Sequence, residues 1–192
     1  RESEEIMSRF PKLLRRVGGY NIDALTKEDP NFGSLLVGSE GTLGFFQKIH
    51  LQLQPIPPQK VLGICHFPTF YEAMENTQHI VKLNPDAVEL VDRNMIELAR
   101  AIPMFAATVN RFVQGEPDAL LLVEFAGESK KEQLGRLAGL VELMEDMGFP
   151  NAVVEATDNE FQTAVWEVRK QGLNIMMSMK GDGKPISFIE DC

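Results

Sequence analysis

Between Val37 and Gly44 the chain reads Val-Gly-Ser-Glu-Gly-Thr-Leu-Gly. Glycines at 38, 41 and 44 recur every third residue, so no Cβ at those positions keeps a flat or charged ligand off the main chain. Ser39 and Thr42 add hydroxyls, and successive amide N–H groups in such a loop can converge on an anion. The stretch is not a P-loop, which ends in Gly-Lys-Ser/Thr, nor the Gly-x-Gly-x-x-Gly that opens a helix in dinucleotide folds. On residue types alone two readings stand: a ligand loop, or a plain turn into the segment that follows. Arg169, beside Glu167 and Lys170 on a helix, reads on the same basis as a solvated cation, and Trp166 as a core anchor. His50, His66 and His79 are scattered with no second ligand four residues on, so no metal site is expected.

Elements that could position such residues follow from periodicity. Residues 45–54 alternate, with Ile49, Leu51 and Leu53 on one side and Lys48, His50, Gln52 and Gln54 on the other, the pattern of a half-buried strand. Three prolines within Pro55–Pro58 stop it and form a stiff connector, which marks a boundary between domains at 1–56 and 57–192. Beyond it, strands and helices alternate. Strands are expected at 60–67, 87–91, 118–125, 152–156 and 186–189. Amphipathic helices are expected between them, with Leu134, Leu137, Val141 and Met144 facing inward on the longest. Each helix has one broad apolar stripe, which predicts an α+β fold: a ferredoxin-like sandwich with helices on one face of a mainly antiparallel sheet. A doubly wound parallel sheet is the rival architecture.

Composition narrows the function classes. In 192 residues, 44% hydrophobic and 24% charged side chains are globular values. The 28 acidic against 19 basic residues give a net charge of −9, which argues against a nucleic-acid partner, since such binding runs on clustered Lys and Arg. No apolar run reaches the roughly 20 residues needed to span a bilayer. Two distant cysteines, Cys65 and Cys192, make no disulfide framework, which favours a reducing, cytoplasmic setting. The chain starts at Arg1 and stops after a strand-like run at Glu190-Asp191-Cys192, and both ends read as cut from something longer.

The run LLVGSEGTLGFF, preceded by RRVGGYNIDAL, resembles the end of the flavin domain in the FAD-linked oxidase family, a vanillyl-alcohol-oxidase-like group. The branch includes bacterial glycolate oxidase and the D-lactate and D-2-hydroxyglutarate dehydrogenases. The segments AVELVDRNMIELA, ALLLVEFAG and WEVRKQGLNIMMSMKGDGKPISFIEDC resemble that family's C-terminal cap domain, most closely in large bacterial members with a fused iron–sulfur domain. The resemblance implies that residues 1–56 end an FAD-binding domain and that 57–192 are part of the cap. It places FAD against Gly38, Ser39, Glu40, Gly41, Thr42 and Gly44, with Tyr20 of the Gly19-Tyr20-Asn21 element near the cleft. It gives Arg169 the substrate carboxylate, a task suited to a planar guanidinium that grips both oxygens. Lys184 is the nearest equivalent of a second substrate-holding cation.

The resemblance also implies what lies elsewhere. The pyrophosphate loop would precede Arg1, and the His-rich HxGDGNxH element would follow Cys192, so Gly181-Asp182-Gly183, with no flanking His, reads as a turn. The expected activity is an FAD-dependent oxidation of a small 2-hydroxy acid to the 2-oxo acid by hydride transfer to flavin. Its electron acceptor is undefined, and an iron–sulfur cluster has room in a downstream domain. The 192 residues alone are expected to be inactive and to bind FAD weakly or not at all. Two rivals remain on sequence: a non-enzymatic βαβ small-molecule regulatory module, and a non-redox flavin-dependent transferase of the same family, as in alkyl ether lipid synthesis.

Overall fold

The computed structural model describes residues 2–12, 19–177 and 181, which fall into two compact units divided after Gln54. In the first unit a short helix, α1 (Ser3–Arg9), precedes a single 3₁₀ turn over Ile22–Thr26 and a five-residue helix, α2 (Phe32–Leu36). Asn21 ties these pieces together, donating from Nδ2 to the carbonyls of Ser34 (3.2 Å) and Val37 (3.1 Å). Residues 45–54 join no sheet among the described residues, against the strand that their alternation predicts. The apolar side, Ile49, Leu51 and Leu53, stands exposed. Alternation specifies a face but supplies no neighbour, and a strand exists only when a partner takes its backbone hydrogen bonds.

The second unit is built on a four-stranded, wholly antiparallel sheet in the order β2-β3-β1-β4. It runs β1 (Gln59–Phe67), α3 (Phe70–Ile80), β2 (Ala87–Asp92), α4 (Arg93–Arg100), α5 (Pro103–Phe112), β3 (Ala119–Gly127), α6 (Lys130–Asp146), β4 (Val153–Ala156), α7 (Asn159–Lys170) and α8 (Gly172–Met177). This is the ferredoxin-like order, with α4 and α5 inserted between β2 and β3. No described strand pair is parallel, so the doubly wound alternative falls. The helix starts are set by side-chain caps: Thr69 accepts from the Glu72 N–H, Asp92 from Met95, Ser129 from Glu132 and Asp158 from Phe161.

The two faces of the sheet carry separate cores. Val61, Cys65, Phe67, Leu121, Val123 and Phe125 pack against α3 and α6, the helical layer that the ferredoxin-like pattern implies. Leu62, Ile64, Leu120 and Leu122 pack on the other side against α4, α5 and α7, with Ile175 of α8. That second helical layer goes beyond the single covered face the sequence leads one to expect. It explains why β1 and β3 read as almost unbroken apolar runs, since a strand covered on both faces has no polar side. On α6 the buried positions are Gln133, Leu137, Leu140 and Met144, so the helix is rotated from its expected face, and Leu134 is partly exposed. The expected strand at 186–189 lies outside the described residues.

Candidate functional site

In the first unit the loop residues form a compact turn. Gly38 (φ 78°), Glu40 (φ 48°) and Gly41 (φ 77°) are left-handed, a conformation that glycine adopts freely and glutamate does not. Ser39 donates its N–H to the Leu36 carbonyl and accepts from Thr42 N–H at 2.9 Å. The Thr42 hydroxyl also donates to the Ser39 carbonyl (2.6 Å), so the 2.7 Å contact between Tyr20 and Thr42 has the Tyr20 hydroxyl donating to Thr42 Oγ1. Tyr20 and the loop, 22 residues apart, are thus brought together.

Apart from Ser39 the loop is exposed, and a Cβ built at Gly41 or Gly44 would meet nothing within 4 Å. Ser39 is the exception, with 1% of its surface exposed, and its Oγ has no hydrogen-bond partner among the described residues. A buried hydroxyl left unpaired costs about 1–3 kcal/mol. One orphaned hydroxyl, open space over two glycines, and Glu40 and Gly41 amides unengaged among the described residues form a set that suits a polar, planar ligand laid on the main chain.

In the second unit, the adjacent residues Lys170 and Arg169 at the end of α7 line two separate clefts. Arg169, in the last turn of α7, donates from Nη2 to Glu89 Oε2 on β2 (2.7 Å), and the pair is partly exposed. At that exposure an ion pair contributes about 1 kcal/mol or less. Its cleft, of about 330 Å³, is otherwise walled mostly by apolar groups, including Phe70, Met95, Leu173 and Met176. The Arg169 Nε is buried and unpartnered among the described residues.

The neighbouring cleft, about 590 Å³, has Glu124 of β3 at its base, 8% exposed. Lys60 Nζ donates to Glu124 Oε1 (2.8 Å) and Trp166 Nε1 to Oε2 (2.9 Å). Trp166 is therefore partly a core anchor, as its type suggests, and partly the hydrogen-bond donor to a buried carboxylate. Gln162, also buried, holds the carbonyls of Lys60 and Ala156. Across the β2–β3 ladder Ala87 faces Glu124 and Glu89 faces Leu122, so the two acids are diagonal neighbours, each neutralised by its own base.

Lys184 lies outside the described residues, as do Asp182 and Gly183. Glu89, Glu124 and Lys60 are functional candidates that residue types and spacing did not single out. Glu124 is detectable in principle: it is the one charge inside the otherwise apolar strand ALLLVEF, and a charge there needs a partner. Glu89 carries no comparable signal, since alternating AVELVD reads as any half-exposed strand.

Elsewhere the titratable groups are structural. His66 accepts the Gln114 N–H at Nε2 (3.0 Å), and its Nδ1 contacts the carbonyls of Ile64 and Ala152. Burial lowers its pKa below the ordinary 6.5, against the opposing pull of those carbonyls and that of Phe112. Burial likewise pushes the Cys65 thiol far up, which makes it unreactive. Among the described residues no group of three or more His, Cys, Asp or Glu could hold a metal ion. No described helix is long and apolar enough to cross a membrane.

The second unit, an antiparallel four-stranded sheet with helices on both faces, is of the α+β class. Residues 56–192 match the family described as FAD linked oxidases, C-terminal domain, and the chain belongs to it. It is 28% identical over 197 residues to a D-2-hydroxyglutarate dehydrogenase of Haemophilus influenzae, a match that covers 97% of this chain and 19% of that protein. It is also 28% identical over 177 residues to a probable mitochondrial D-lactate dehydrogenase of Danio rerio, covering 91% and 34%. The chain thus spans about a fifth to a third of the length of these relatives. Among solved structures, alkyldihydroxyacetonephosphate synthase superposes with a TM-score of 0.57 at 20% identity over 79% of this chain and 29% of that one, a likeness of fold.

Proposed function

We propose that this chain is the cap, with the adjoining end of the flavin domain, of an FAD-dependent dehydrogenase for small 2-hydroxy acids of the D-lactate, glycolate or D-2-hydroxyglutarate type. Residues 1–56 belong to the cofactor domain on this reading and 57–192 to the cap. The observation that carries it is the Arg169 guanidinium at a partly exposed, mainly apolar cleft, held through one nitrogen and with donors to spare, in a chain of this family.

Each residue has its own part. Gly38, Gly41 and Gly44 keep the loop's main chain bare, Ser39, Glu40 and Thr42 offer polar contacts, and Tyr20 braces Thr42; together they would hold FAD. When bound, FAD supplies the two-electron acceptor for the hydride leaving the hydroxyl-bearing carbon. Arg169 binds the substrate carboxylate and so fixes that carbon in one place, converting binding energy into orientation. Lys184 is a second contact for the substrate. Electrons leave to an acceptor outside this chain; a downstream iron–sulfur domain in the cytoplasm is one such acceptor, favoured by the likeness to long bacterial relatives.

The test uses the full-length enzyme that contains this chain. Arg169→Lys removes the bidentate fork while keeping the charge, and is expected to raise KM for the hydroxy acid at least tenfold and to lower kcat. Unchanged steady-state constants would take Arg169 out of the site.

A further inference from the structure

We propose that Glu89 is the positioning residue for Arg169 and the counter-ion with which an incoming carboxylate shares it. The proposal deepens the reading of Arg169 as the carboxylate-binding group and rests on it. Glu89 reaches Arg169 from the middle of β2, on the sheet face that also carries Glu124, and engages only Nη2. On the other side the guanidinium lies against the first residue of α8: a Cβ added to Gly172 would come within 3.6 Å of Nη1 and 3.2 Å of Met95 Cε. The group is therefore pinned at one nitrogen and backed by main chain. Nη1 has no hydrogen-bond partner among the described residues and remains free to donate.

The charges around the pair leave Glu89 as the acid that neutralises Arg169. Asp92, in the same cleft, is occupied in capping α4 through the Met95 N–H and in accepting from Asn94. Glu124 is taken by Lys60 and Trp166. With Glu89 ionised, Arg169 attracts an anion less than a bare guanidinium would, and binding one carboxylate makes an acid–base–acid triple. Such a triple repels a further negative group on the Glu89 side. The ligand class is thus an acid with one carboxylate at Arg169 and any second acidic group directed away from β2.

Two variants separate the two roles. In Glu89→Gln the amide oxygen still accepts from Nη2 but the charge is gone; in Glu89→Ala both are gone. The measurement is NMR of the Arg169 guanidinium nitrogens in the 192-residue chain, followed through a titration with D-lactate, with lactamide as the uncharged control. Expected is slow rotation about Cζ–Nε in the wild type and in Glu89→Gln, and fast averaging in Glu89→Ala. D-lactate is expected to bind several-fold more tightly to Glu89→Gln and several-fold more weakly to Glu89→Ala. Unchanged rotation in Glu89→Ala, or affinity shifts of the same sign in both variants, would overturn the proposal. Should rotation respond as expected while D-lactate moves no Arg169 resonance in any of the three chains, the positioning role is supported and the carboxylate reading of Arg169 fails instead. The backbone amide spectrum of each variant reports folding separately, and Glu89→Gln, isosteric with the native side chain, keeps the experiment readable.

Discussion

A histidine between backbone groups is a pH sensor for folding whether or not it does chemistry. His66 is buried and uses Nε2 as an acceptor for the Gln114 N–H, so the folded protein holds it neutral. Its pKa is lowered below 6.5, while the unfolded chain titrates at the ordinary value. As pH falls through 6.5, the unfolded state takes up a proton that the folded state refuses, and stability drops. The loss continues until the folded-state pKa is passed, where both states are protonated and the slope ends. Urea unfolding at pH 7.5, 6.5 and 5.5 is expected to show this decline in the wild type. In His66→Gln, which starts less stable, the part of the decline due to His66 is gone, so the difference between the two chains shrinks toward low pH. A difference independent of pH would mean that His66 titrates alike in the folded and unfolded chains.

At the scale of elements, much of the second unit is legible in the sequence because its local signals agree. Thr69, Asp92, Ser129 and Asp158 each stand where a cap belongs, and β1 and β3 are apolar over strand length. Two features are not legible, for physical reasons. Ile49, Leu51 and Leu53 satisfy the strand period, yet pairing is a property of a neighbour and not of the segment itself. The facing of α6 depends on Gln133, a polar residue buried because Arg136 donates to its Oε1 and because Gly127 leaves it room. Packing at α6 also yields a mutational test at a glycine that local rules would call replaceable. A Cβ at Gly63 of β1 would stand 2.5 Å from Leu140 Cδ2 and 3.0 Å from Leu137 Cδ1. Gly63→Ala is therefore expected to cost about 1–3 kcal/mol, read as a lowered urea midpoint with unchanged slope, despite alanine's better strand fit. Unaltered stability would show that α6 moves aside without penalty.

Across the whole molecule, order is unevenly distributed. In the first unit Ser39 is the one buried residue among those described, and residues 43–58 make no hydrogen bond among the described residues. Hydrogen exchange is expected to protect amides of β1 and β3 to near the global unfolding limit, while amides of 43–54 exchange within about tenfold of free-peptide rates. Strong protection in 43–54 would reveal a pairing partner within this chain. The same contrast explains what the sequence discloses of the sites. The Gly38–Gly44 loop announces itself through residue types, since its conformation is local. The Arg169–Glu89 and Lys60–Glu124 pairs join residues 80 and 64 positions apart, so no window of sequence contains both members.

The sheet order also has a consequence for synthesis. Of the four strands of this sheet β1 is made first, yet both its edges wait for later ones: β3 is complete only at Gly127 and β4 only at Ala156. Throughout that interval the run from Val61 to Phe67, destined for the interior, is a ready template for any passing extended polypeptide. Stalled translation between those two points lengthens the exposure, and is expected to lower the yield of folded chain even where the finished fold is stable.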